Sequence, residues 1–134
     1  MTMPAGKYYI GDLCYVMHDE WSEFCDLTIK GEQCLDGEFQ LKDGRRFATL
    51  RTAWGDGTYR SSINTLHSVD AGLIGCISIY DIRDQTYDLE RLQQLGAIVD
   101  FEAPFEVESD QGLLKFGSVL IETAANEEED ETCS

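Results

Sequence analysis

Three short segments set a carboxylate beside glycine: Gly11-Asp12, Gly55-Asp56-Gly57 and Asp70-Ala71-Gly72. Glycine lets the backbone turn tightly or come close to a ligand, so each segment can offer a carboxylate to a bound group. If the fold gathers them, Asp12, Asp56 and Asp70 supply oxygen ligands for a hard divalent cation, or orient a small polar molecule. Asp and Gly also dominate ordinary turns for local reasons, and no spacing here matches an EF-hand loop. Cys14 follows the first of these turns. A nucleophilic cysteine needs a base close in space to form its thiolate, and only His18 and His67 are available. In a strand, positions 14 and 18 stand about 13 Å apart at ~3.3 Å per residue, so His67, near Asp70, is the better base. The alternative for Cys14 is a buried structural thiol.

Trp54 and Tyr59 flank the second turn. Large aromatics usually build cores, but Trp54 stands in a glycine-rich loop, where binding residues concentrate. The candidate ligand contacts are therefore Asp12, Trp54, Asp56, Tyr59 and Asp70. A phosphate-cradling loop and a Gly-x-Ser-x-Gly elbow are both absent, so no catalytic signature stands beside Cys14 and His67.

Charge narrows the partners. The 134 residues carry 26 acidic and 10 basic side chains, a formal net charge of −16. Five of the acids form the run Glu127 to Glu131; setting them aside leaves 21 against 10, still −11. Binding nucleic acid through phosphates needs the opposite sign, and an anionic membrane surface is disfavoured in the same way. Cations, a small molecule or a basic protein surface fit better. No apolar stretch approaches the length that spans a bilayer. The five cysteines are odd in number and contain no Cys-x-x-Cys pair, and no basic-then-apolar leader opens the chain, so reduced thiols in a cytoplasm are expected.

Positioning these residues requires a scaffold. Lys7 to Ile10 and Cys14 to Met17 are rich in aromatic and β-branched residues, a strand signal. Asp19 can cap a short helix carrying Trp21, Phe24, Cys25 and Thr28 on one face, with Gly31 ending it. Asp43-Gly44 predicts a two-residue hairpin turn that pairs Leu41 with Arg46 and Phe39 with Ala48. One face then carries Phe39, Leu41, Ala48 and Leu50, and Phe47 is the exception on the other. Leu73 to Tyr80 is apolar on both faces and reads as a central strand. Asp88 to Leu95 predicts a second short helix closed by Gly96. Ala97 to Phe101 is a further strand, and Phe105 to Glu122 a final hairpin around Asp110-Gln111-Gly112. About eight short strands with two short helices predict a mainly β, compact antiparallel sandwich or barrel-like sheet in one domain, residues 1–123. Residues 124–134 read as an acidic, disordered tail.

The segment Gly6-Lys7-Tyr8-Tyr9-Ile10-Gly11-Asp12-Leu13-Cys14-Tyr15, with Gly55-Asp56-Gly57-Thr58-Tyr59, Val69-Asp70-Ala71-Gly72-Leu73-Ile74-Gly75 and Phe116-Gly117, resembles the motifs of a family of small bacterial and phage proteins with no assigned activity. That family commonly has proline where this chain has Leu13. The resemblance implies one intact domain and points to the three Gly/Asp turns, but supplies no reaction.

Together these features favour a non-catalytic binding module for a cation or small polar ligand. Two other classes stay open: an acidic mimic of nucleic acid that inhibits a basic protein, and a small hydrolase using Cys14 or an Asp pair.

Overall fold

Consecutive apolar residues, rather than alternating ones, mark the strands at the centre of this protein: Tyr8-Tyr9-Ile10, Phe47-Ala48 and Ile74 to Ile77 are buried at odd and even positions alike. Such strands need cover on both faces. The computed structural model describes residues 1–17, 20–30, 33–34, 36–52, 57–63, 65–69, 72–82, 88–110 and 112–123. The strands are β1 (Thr2–Met3), β2 (Gly6–Gly11), β3 (Ile29–Lys30), β4 (Gln33–Cys34), β5 (Gly37–Gln40), β6 (Arg46–Arg51), β7 (Gly57–Arg60), β8 (Leu66–Val69), β9 (Leu73–Ser78), β10 (Ala97–Phe101), β11 (Phe105–Asp110), β12 (Leu113–Phe116) and β13 (Val119–Glu122). Two helices, α1 (Trp21–Thr28) and α2 (Leu89–Leu95), and two 3-10 turns, Leu13–Tyr15 and Ile79–Asp81, complete the described chain.

The main sheet is antiparallel, in the order β10-β2-β9-β6-β5. A second sheet, β1-β11-β12-β13, packs on one face of it. Tyr8, Ile10, Ala48, Leu50, Ile74 and Cys76 from the main sheet meet Met3, Phe105, Val107, Leu114, Phe116 and Ile121 from the second. The hairpin β7–β8 joins the second sheet through a bridge between Ser61 and Ile121, and it sends Tyr59 and Val69 into the same core. The opposite face of the main sheet, with Tyr9, Phe47, Leu73 and Ile77, is covered by Leu13, Phe24 of α1 and Leu92 of α2. The protein is thus a mainly β sandwich with two short helices as a third layer. No described helix is long and apolar enough to cross a membrane.

Local signals explain most of the elements, with five corrections. The Asp43-Gly44 hairpin is one residue out of the expected register. Phe39 pairs with Phe47 and Glu38 with Ala48. Leu41 N–H donates to the Arg45 carbonyl at 2.8 Å and Gly44 N–H to the Leu41 carbonyl at 2.9 Å, which makes a three-residue loop with Gly44 at φ +98°. The shift removes the exception: Phe47 now shares a face with Phe39 and stacks on it, ring centroids 5.7 Å apart, and on Phe24 at 5.1 Å. Burying each such ring contributes about 1.5–3 kcal/mol. Second, the last hairpin is two hairpins. One turns at Gly112, with φ +90°, between β11 and β12, and the other at Gly117-Ser118, with Gly117 at φ +61°, between β12 and β13. Third, the β9 run stops at Ser78, whose hydroxyl caps the 3-10 turn that holds Tyr80.

The helices form near the expected positions. Asp88 Oδ1 accepts the Arg91 N–H at 2.9 Å and starts α2. Gly96 follows α2, but its φ of −164° is extended, so a left-handed cap is not its purpose. A Cβ there would stand 2.4 Å from the Ile10 carbonyl oxygen; glycine lets the helix end press against β2. This is the fourth correction. The fifth is Cys14 to Met17, expected as strand: Asp12 Oδ1 accepts the Cys14 N–H and starts the 3-10 turn Leu13–Tyr15 instead. In α1, Phe24 and Thr28 are buried and Trp21 and Cys25 half-buried, as the spacing predicts. Asp19 and Gly31, expected to cap and end that helix, lie outside the described residues, as do residues 124–134.

Candidate functional site

The residues that bracket the three Gly/Asp turns meet at one end of the main sheet. Gly11 closes β2 and pairs with Gly75 on β9. Arg51 closes β6 and pairs with Leu73, the first residue of β9. Thr52 N–H donates to the Gly72 carbonyl at 3.1 Å, and Gly57 pairs with Val69 across the β7–β8 hairpin. Trp54, Asp56 and Asp70 lie outside the described residues.

Asp12 is not an open turn carboxylate. It is fully buried, and its Oδ1 accepts the Cys14 N–H at 2.9 Å, capping the 3-10 turn Leu13–Tyr15. A buried carboxylate must be satisfied by donors, and the backbone supplies one here. The cap aims Leu13 onto the Gly75 backbone, where a Cβ would stand 2.7 Å from Leu13 Cδ1. Tyr59 is equally inward: it stands in the inter-sheet core, 4 % exposed, opposite His67 in the hairpin. Cys14 is half-buried.

His67 is completely buried, with Nδ1 3.1 Å from the Ile10 carbonyl oxygen. A carbonyl only accepts, so this contact assigns the ring proton to Nδ1 and leaves Nε2 as a bare acceptor. No described residue hydrogen-bonds Nε2. Burial outweighs the Ile10 bond and lowers the imidazole to about 4, so the ring is neutral at pH 7. The sequence reading offered His67 as a base for Cys14; what the structure records for its ring is this anchor to β2. His18 lies outside the described residues. The buried thiol of Cys76 is pushed up to about 12, chiefly by desolvation, which removes it as a nucleophile at neutral pH. Among the described residues, no three His, Cys, Asp or Glu side chains come together to hold a metal ion.

The sequence reading missed a groove of about 470 Å³ between α1 and the β5–β6 hairpin, lined by Glu20, Glu23, Asp26, Gln40 and Lys42 among others. Two of its carboxylates do structural work. Glu23 Oε2 accepts the Lys42 N–H at 2.7 Å, and Glu20 Oε1 accepts Arg45 Nη1–H at 2.9 Å. An acid at the start of a helix and a basic residue after a hairpin turn were visible signals, but nothing local joined them.

Comparison of the chain with protein-family models, curated proteins and solved structures returns no match.

Proposed function

We propose that this protein is a non-catalytic binding domain whose ligand, a divalent cation or a small polar molecule, is held by the Gly/Asp turns at one end of the main sheet. The observation that supports this reading is the meeting of their bracketing residues, through the Thr52–Gly72 bond and the Gly11–Gly75 and Gly57–Val69 pairs. Asp56 and Asp70 are the ligating carboxylates, Trp54 an apolar wall, and Asp12 the residue that fixes the adjoining backbone through its cap. Oxygen ligands on glycine-flanked turns suit a hard cation or a ligand rich in hydroxyl or amine donors.

A ligand that binds only the folded state raises its stability by about 2.7 kcal/mol at a hundred times its Kd. Thermal melts with Ca²⁺, Mg²⁺, Mn²⁺, Zn²⁺ and a panel of polar metabolites should therefore find at least one that raises Tm by several degrees. The rise should vanish in the Asp56→Asn, Asp70→Asn double variant. A flat response across the panel overturns the reading.

One feature favours a second reading, an acidic mimic that occupies a basic protein. On the outer face of the second sheet, Glu106, Glu108, Asp110 and Glu122 are exposed beside a single basic residue, Lys115, which reaches Glu108 at 3.8 Å. A complex built on this face should hold at low salt and weaken steeply as salt screens it. Extract passed over the immobilised protein at low ionic strength, returning no basic protein that salt releases, would count against it.

A further inference from the structure

We propose that His67 is an acid-sensitive latch: neutral, its ring pins the β7–β8 hairpin to β2, and a second ring proton drives it out of the interior and frees the hairpin. This goes beyond the binding reading and does not depend on it. The hairpin belongs to neither main sheet by a continuous ladder. Near its turn it is tied to β13, where Ser62 N–H donates to the Leu120 carbonyl at 2.7 Å and the Ser62 hydroxyl accepts the Leu120 N–H at 2.9 Å. At its other end Thr52 bonds Gly72. Between these, the bond from His67 Nδ1 to the Ile10 carbonyl joins the hairpin to the main sheet across 57 residues of chain.

Protonating Nε2 leaves the Nδ1–H donor to Ile10 in place, so what opposes it is the burial of the added charge. A proton on Nε2 creates a charged donor in a fully buried position where no described residue accepts it. The elements packed against β8 give the charge no counter-ion. β7 presents Tyr59, β2 presents the Ile10 carbonyl, and α2 buries Leu92 and Leu95. The charged side chains of these elements, Lys7, Arg60, Glu90 and Arg91, are all exposed, and Asp12, just beyond β2, accepts the Cys14 N–H. Water is what a protonated His67 needs, and reaching it requires the hairpin to open.

The direction follows from linkage. The closed ring titrates at about 4 and an open, solvated one near 6.5, so the open form gains protons first as pH falls. Opening should become about 30-fold more favourable between pH 7.5 and pH 5, and stop rising once the closed form also titrates. Amide hydrogen exchange, corrected for the intrinsic pH dependence, reads this directly. In the full chain, protection of residues 58–60 and 66–69 should fall about 30-fold at pH 5 while β2, β6 and β9 stay protected. In His67→Gln, which keeps a donor for Ile10 but cannot titrate, the fall should vanish. Loss of protection in the hairpin and the main sheet together, or an unchanged fall in His67→Gln, overturns the latch. Should that variant not fold, an NMR titration of wild-type His67 decides: an apparent pKa below 5 supports the latch, and one near 6.5 overturns it.

Discussion

Gly75→Ala should lower the melting temperature by about 10 °C, the cost of forcing a methyl group between two strands. Gly75 stands in β9 between Gly11 on β2 and Thr49 on β6. A Cβ there would lie 2.4 Å from the Ala48 carbonyl oxygen and 2.7 Å from Leu13 Cδ1. Leu13 can rotate, but the carbonyl belongs to the β6–β9 ladder and cannot withdraw without distorting it. Overpacking of this kind costs about 3 kcal/mol, and a domain of this size loses roughly 3–4 °C per kcal/mol. Thermal unfolding followed by circular dichroism checks the value. Adding Leu13→Ala should restore little, because the backbone contact remains. A loss under 2 °C would mean that the strands have room after all.

The second large effect concerns Arg45. Its Nη1 donates to Glu20 Oε1 at 2.9 Å and to the Asp81 carbonyl at 3.1 Å, and its Nε donates to Asp43 Oδ2 at 2.8 Å. One guanidinium thus ties the β5–β6 hairpin loop to the start of α1 and to the 3-10 turn after β9. The Arg45 and Glu20 side chains are only 10 % and 9 % exposed. Removing one partner of a buried pair strands the other, at a cost of 3–5 kcal/mol when burial is complete. Arg45→Met should therefore cost about 3 kcal/mol in a denaturant titration, near the low end because both groups keep some water. Asp43, half exposed, adds little. The double variant Arg45→Met, Glu20→Met should lose at least 1 kcal/mol less than the sum of the singles, since it leaves no stranded charge. Strict additivity would mean that the pair is not coupled.

How far the sequence leads depends on whether the deciding interaction is local. Asp88 starts α2 where expected because a capping side chain acts within three residues. β9 reads correctly as central because its apolar run needs two covered faces, whatever covers them. The β5–β6 register fails because Asp43-Gly44 serves both a two-residue and a three-residue loop, and only the stacking of Phe47 on Phe24 and Phe39 chooses between them. The out-of-place Phe47 was the available sign of that error. Gly117-Ser118 was an equally available sign of the turn between β12 and β13. At the candidate site, the meeting of Thr52 with Gly72 rests on long-range pairing that no spacing encodes. The burial of Asp12 and His67 is similar: Asp12 goes inside because the Cys14 N–H donates to it, and His67 because the Ile10 carbonyl, far along the chain, accepts its Nδ1–H.

The order of the strands also sets a timetable. β2 lies between β9 and β10, and Thr2 on β1 pairs with Glu106 on β11. Loops that long must close before these strands gain any ladder bonds, which slows folding relative to proteins built from neighbours in sequence. A ribosome therefore delivers β1 and β2 long before β9, β10 and β11, so these two strands must wait for their partners before they dock. Until then their apolar edges are the part of the newborn chain most in need of a chaperone.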